Sequence, residues 1–402
     1  MAGKYIRKLY GDNLFRNSSY LILNSAIMSL LGFFFWTLAA RNFTSHDLGL
    51  ATTVISAIGL ISLFSFLGFN VGFLRYLPLA KNKGKVIFNA FLFASLVNIV
   101  LAGIFLIGLG LFSQELNFLV GSWVYILGFI SFSLSWLLFS LVNSVLIAYR
   151  KANIVLVKNT VYSVLKLFLL FFLTGISGIL ISWYLACFIA LLFSFFFFKL
   201  DLKFDFKSLR RMFRFSSFNY FGQIFASMPA LLLPLIITSL LEPSYTAYFY
   251  VAWTISAMLM VIPVSVGQSF LTEGSYSNKS WSKKFKKALL FSLGLVGLGI
   301  VFLLFFGKML LNLFSPEYVV GFNLLLILAF SAIPYTLNQL YISHLNLEHK
   351  VKKVVSINFL VAFITISGSI LFIDYGLTAI GFSWLVGNLA GLAFRGMNGS
   401  KK

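Results

Sequence analysis

The chain has 402 residues, 60% of them hydrophobic and only 10% charged, against about 25% charged in an ordinary soluble domain. Its net charge of +21 would suit a nucleic-acid partner if the cations were clustered with aromatic side chains in a basic module. They are not, so a nucleic-acid role is set aside.

Taken in chain order, twelve apolar runs are each long enough to cross a bilayer, which needs about 20 residues per helix. They lie near 17–40, 48–69, 86–111, 123–147, 154–174, 176–198, 213–240, 246–268, 287–306, 322–345, 354–373 and 376–394. No connector is long enough to form a soluble domain. The first run begins a short way into the chain, and Leu38-Ala39-Ala40 faintly resembles a cleavage site. At about 24 residues the run exceeds a signal-peptide core, so a retained helix is expected.

The connectors carry the orientation. With the N-terminus inside, 28 of the 31 lysines and arginines fall in inside segments, from Lys4, Arg7 and Lys8 through Arg75, Lys81 and Lys83, Arg150, Lys151 and Lys158, to Lys401 and Lys402. The outside connectors hold only Arg41 and Lys308, and Lys166 is left inside the fifth span. That asymmetry is the positive-inside rule. Both termini are therefore expected in the cytoplasm of a cell-membrane protein, with the basic loops against anionic lipid headgroups.

Six spans fill 1–198 and six fill 213–394, joined by a basic linker at 199–214. The expected domains are 1–198 and 199–402. An even number of spans per half gives both halves one orientation and permits a parallel repeat. Asn17-Ser18-Ser19-Tyr20 and Phe215-Ser216-Ser217-Phe218 form a faint echo of it. Prolines favour the second half, with Pro229, Pro234, Pro263 and Pro334 inside spans. Each removes an intrahelical hydrogen bond. Bends beside a moving cavity and ordinary membrane-helix proline weigh about evenly. Small-residue ladders at Ser383, Gly387 and Gly391, and at Ser25, Ser29 and Gly32, predict close helix contacts.

Charge inside a span is costly and points to function. Asn159, Tyr162 and Lys166 share one face of span five, as their spacing requires. That face suits an anion contact in a wet cavity; a lysine paired with a neighbouring helix, or reaching an interface, is the plain alternative. Arg41 and Arg75 lie at span ends, where they can meet phosphate or simply anchor the interface. Asn24, Asn219 and Gln223, with Asn98, Asn143, Asn338, Gln339, Asn358 and Asn388, offer amides to sugar hydroxyls or to one another.

What is missing narrows the chemistry. No acid falls mid-span, which argues against a proton- or sodium-coupled cation exporter. There is no phosphate-binding glycine loop of the ATPase type. His46, His344 and His349 lack metal-ligand spacing, and Cys187 has no second cysteine. No cofactor, metal or catalytic residue is expected, and the chain is not read as an enzyme.

Three stretches resemble a known family: Ala39-Ala40-Arg41-Asn42-Phe43 with Asp47-Leu48-Gly49, Gly68-Phe69 and Arg75; Leu313-Phe314-Ser315-Pro316-Glu317-Tyr318, where Ser315 departs from a glycine; and Leu347-Glu348-His349-Lys350-Val351-Lys352 with Asn358 and Asp374-Tyr375-Gly376-Leu377-Thr378-Ala379-Ile380-Gly381. In order and spacing they are similar to the polysaccharide-transporter branch, the O-antigen-type flippases, of the multidrug/oligosaccharidyl-lipid/polysaccharide exporter superfamily. The resemblance implies an all-α membrane protein of twelve transmembrane helices, in two six-helix bundles around a central cationic cavity. It implies a flippase for an undecaprenyl- or dolichyl-(di)phosphate-linked oligosaccharide, acting beside membrane lipids and polysaccharide assembly proteins. Arg41 matches the family's arginine after span one. The alternatives are a cation-coupled multidrug exporter of the same superfamily, a membrane glycosyltransferase or polymerase, and a scaffold that transports nothing.

Overall fold

In hydrocarbon each backbone N–H and C=O must be satisfied within its own segment, so an apolar chain of this kind can only be helical. The computed structural model bears this out. It describes residues 13–204, 206–276 and 281–399. Twelve helices are long and apolar enough to cross a membrane. The fold is all-α and multi-pass.

The helices run α1 (Asn13–Asn42), α2 (Ser45–Ser65), α3 (Phe69–Tyr76), α4 (Lys83–Phe112), α5 (Trp123–Ala148), α6 (Ala152–Leu170) and α7 (Gly175–Ser194). There follow α8 (Phe206–Leu240), α9 (Pro243–Tyr276), α10 (Trp281–Phe314), α11 (Phe322–Leu347), α12 (Val351–Leu371) and α13 (Leu377–Gly399). Only α3 is too short to span. It exists because Leu67 and Gly68 adopt positive φ and break the second span at Ser65. Arg75, expected just past the end of that span, therefore rides on a separate short helix. Local chemistry sets other starts: the Asn82 side chain accepts from the Lys85 N–H, and Ser122 from the Val124 N–H.

Two compact units emerge: Met1–Phe43 with Ala57–Tyr220, and Thr44–Ser56 with Phe221–Lys402. In the first, α4 packs on α5, α5 on α7, α6 on α7, and α1 on α6. In the second, α10 packs on α11, α11 on α13 and α12 on α13, the same partners in the same order. The connection between α5 and α6 recurs in detail between α11 and α12. Arg150 and His349 both take positive φ, 59° and 57°. The Lys151 N–H donates to the Leu146 carbonyl, and the Lys350 N–H to the Leu345 carbonyl, both at 2.9 Å. Arg150 and His349 donate in turn to Ile147 and Asn346. This is a Schellman turn built twice, each time with a side chain where glycine is usual.

The two small-residue ladders part company. On α13, a Cβ on Gly387 would meet Thr365 and the Val361 carbonyl of α12, and one on Gly391 would meet Asn338 of α11. That ladder is a packing seam. The α1 ladder is not: Ser25 and Ser29 are exposed and Gly32 faces open space. Helix α1 meets α6 instead along Asn17, Asn24 and Met28, about a quarter-turn away round the helix.

Gly49 has a physical reason in the packing of α2. A Cβ there would collide with the backbone carbonyl of Pro243, at the start of α9. Thr53, one turn on, shares a hydroxyl contact with Thr238, which in turn meets Thr246 at 2.7 Å. Because the obstacle is backbone, it cannot swing aside. Gly49→Ala is expected to destabilise by about 1–3 kcal/mol or more through overpacking. A thermal-unfolding comparison in detergent checks this, and an unchanged midpoint would contradict the close approach.

Candidate functional site

The face expected from the spacing of span five is present and buried. Asn159, Tyr162 and Lys166 are only 4%, 1% and 4% exposed. Helix α1 covers the near end of this face. The Asn159 side-chain amide donates to the Asn24 carbonyl oxygen at 2.9 Å, and the Ser163 hydroxyl donates to the Met28 sulfur. Asn24, Asn159, Tyr162 and Lys166 are thus brought together on one seam. The Asn24 bond occupies the Asn159 amide N–H, while the Asn159 side-chain oxygen is buried with no partner.

The other sequence candidates lie apart from it. Arg41 is exposed in the last turn of α1, and Arg75 is exposed on α3. Gln223 is exposed on α8, and the Asn219 side chain lies outside the described residues.

Two expectations need correction. Helix α6 ends at Leu170, not near 174, so Lys166 sits one turn from the helix terminus rather than mid-span. Lys158 was placed with the inside connector. It lies instead within α6 and is fully buried, its Nζ donating to the Phe139 carbonyl at 2.8 Å and resting on the Phe139 ring. The signal was available: Lys158, Tyr162 and Lys166 repeat every four residues, one helical stripe.

With α5 behind them, rings from three helices close around Lys166. Its Nζ stands 4.0 Å from the centre of the Trp183 ring on α7, 4.3 Å from Phe35 on α1 and 5.0 Å from Tyr162. Trp183 also packs on Trp36 and Trp136, and Phe139 stacks on Trp136 and leans on Tyr162. Sequence reading missed this aromatic box, because its rings come from four separate helices with no shared spacing.

Magnitudes show what the box leaves undone. Removing an ammonium from water costs several kcal/mol. A desolvated cation–π contact returns about 2 kcal/mol. Among the described residues no carboxylate pairs with Lys166, and the Trp183 indole N–H is buried with no hydrogen-bond partner. Both groups are donors. An ammonium and an indole N–H on one aromatic box call for an acceptor, and an anionic oxygen is the best one.

No protein-family model matches the chain, and no curated protein sequence does. Solved structures do. A lipid II flippase, MurJ, in an inward closed conformation aligns with a TM-score of 0.77 at 16% identity, over 93% of this chain and 86% of that one. The fold is that of the MurJ and MATE transporters. An inward-facing multidrug resistance MATE family transporter of the MOP superfamily aligns at 0.71 and 14% identity, over 93% and 96%. Its outward-facing counterpart aligns at 0.63 and 14% identity, over 96% and 96%. At these identities the likeness establishes the fold of the chain and not its substrate.

If Lys166 were a packing residue, an apolar side chain of similar length would lose function and stability together or neither. Replacing a buried charge with a well-packed apolar group is commonly neutral or stabilising by about 1–4 kcal/mol. Lys166→Met is therefore expected to keep or raise the thermal midpoint, since sulfur packs well on rings. Lys166→Ala is expected to lower it by about 2 kcal/mol through the cavity it leaves. A large loss of stability in the methionine variant would show that the amine serves the fold.

Proposed function

We propose that the protein is a flippase that moves a lipid-linked oligosaccharide, carried on a polyprenyl phosphate or diphosphate, from the inner to the outer leaflet of the cell membrane. One observation carries this reading: a buried lysine amine and an unpaired indole donor share an aromatic box with no acid beside them among the described residues. A phosphate oxygen supplies what that box lacks. The shared fold with a lipid II flippase supports the same substrate class.

The physics of transit follows from the bilayer. The tail stays in hydrocarbon, while the phosphate and hydroxyls need a wet path, since an unpaired charge in lipid is prohibitive. With both termini inside, Lys166 lies toward the outer end of α6 and Lys158 toward the inner end, about 12 Å apart along the helix. Rocking of two halves would alternate access. Outward movement of a negative headgroup is favoured by an inside-negative potential, at about 2.3 kcal/mol per charge per 100 mV. Consumption of the glycan by polysaccharide assembly proteins outside would pull the flux further. The reading needs no ATP site and no covalent catalysis.

The multidrug exporter remains the second reading, since MATE transporters share the fold. The acids weigh against it. Asp47 and Glu317 sit in first turns at helix or span ends, and among the described residues none lies deep in a span.

Purified protein in vesicles should accelerate flipping of a fluorescent polyprenyl-diphosphate oligosaccharide. Lys166→Gln is expected to slow this at least about tenfold, the scale of one lost charged contact, and Lys166→Arg to retain part of it. Expression and insertion should not change. Wild-type protein that leaves the lipid unflipped but expels organic cations would transfer the chain to the exporter class.

A further inference from the structure

The second unit has a polar cavity of its own, and it is built for different chemistry. It measures about 60 Å³, room for a few hydroxyl-sized groups. Helices α8, α11, α12 and α13 line it, and among the described lining residues none is charged. Its polar groups are amides and aromatic heads: Asn338 and Gln339, Asn358, Asn388, Tyr335 and Trp384.

The hydrogen-bond account of this cavity does not close. Asn338 donates to the Asn388 carbonyl at 2.8 Å, and Asn388 donates to the Trp384 carbonyl at 2.9 Å. Asn358 donates to the Gly222 carbonyl at 3.0 Å. The Asn338 side-chain oxygen is nevertheless buried without a donor, and the Trp384 indole N–H is buried without an acceptor. Both residues are at least nine-tenths buried. Pro229 also lines the cavity. One donor and one acceptor stand open in a neutral site.

Rigid rings surround them. Trp384 packs edge-on against Trp253, with centroids 5.0 Å apart, and leans on Tyr335. A charged ligand would find no counter-charge here. A neutral group that both gives and accepts hydrogen bonds, and that has an apolar face for a ring, satisfies every open atom.

We infer that this cavity in the second unit is a sugar subsite, which takes the hydroxyl edge of a neutral sugar through Asn338, Gln339 and Trp384. The phosphate and the glycan are then read by separate sets of residues, the first by the box at Lys166 and the second here. The ligand class rests on the flippase reading; the unpaired atoms do not.

The test measures binding by wild type and variants in phospholipid nanodiscs, with two probes: polyprenyl diphosphate alone and polyprenyl diphosphate bearing a neutral disaccharide. Wild type is expected to bind the glycosylated probe about tenfold more tightly, the scale of one or two added hydrogen bonds. Trp384→Phe keeps a ring and removes the N–H; Gln339→Ala removes the half-buried amide without touching the Asn338–Asn388 bond. Each should erase the preference and leave the bare probe's affinity unchanged, while Lys166→Gln should weaken both probes. Equal affinity of wild type for the two probes, or variants that weaken both alike, would overturn the subsite and leave a cavity for water only. Binding of neither probe would overturn the flippase reading and this inference with it.

Discussion

An ammonium group held among aromatic rings, with no carboxylate beside it, is the constraint on which this molecule turns. The surrounding helices supply what an apolar bundle can: ring faces and close packing. Together these fall short of the hydration the amine gives up. A chain selected for stability alone would be better served by methionine or leucine at Lys166. Its presence makes sense when the missing negative charge arrives with a passenger.

The two units solve different binding problems with one architecture. The helix pairings, the turn at Arg150 and the turn at His349 repeat closely. Even the contact between the first and fifth spans has a counterpart, since Asn159 bonds to Asn24 and Asn358 to Gly222. Yet the interior of the first unit adds Lys158 and Lys166 to its amides and tryptophans, while no charged residue lines the cavity of the second. A duplicated scaffold with divided chemistry suits a substrate that is anionic at one end and hydroxylated at the other.

Much of this was legible in the sequence, for physical reasons. Hydropathy marks spans because the bilayer admits only long apolar helices, so all twelve appear, though the seventh starts seven residues late, at Tyr220, and the ninth runs eight residues further, to Phe314. The stripe of Asn159, Tyr162 and Lys166 was visible because a helix fixes which residues share a face. The α13 ladder was visible because close backbone approach demands small residues. Other features were beyond one-dimensional reading. Trp183 and Phe35 meet at Lys166 from two other helices, with Trp136 behind Trp183 on a third, and no spacing announces it. The Ser25 ladder misled because small residues permit a contact without requiring one. Lys158 misled because it lies near enough to a basic turn to be counted with it, and only packing reveals the Phe139 carbonyl that holds it.

The most direct measurement is the dipolar coupling between 15N at Lys166 Nζ and 31P of a bound polyprenyl diphosphate, by solid-state NMR of the protein in lipid. A measurable coupling, absent when the probe is withheld, is the predicted result. A bound probe whose phosphorus shows no coupling to this nitrogen would contradict the account, because the buried amine would then have some purpose other than meeting phosphate.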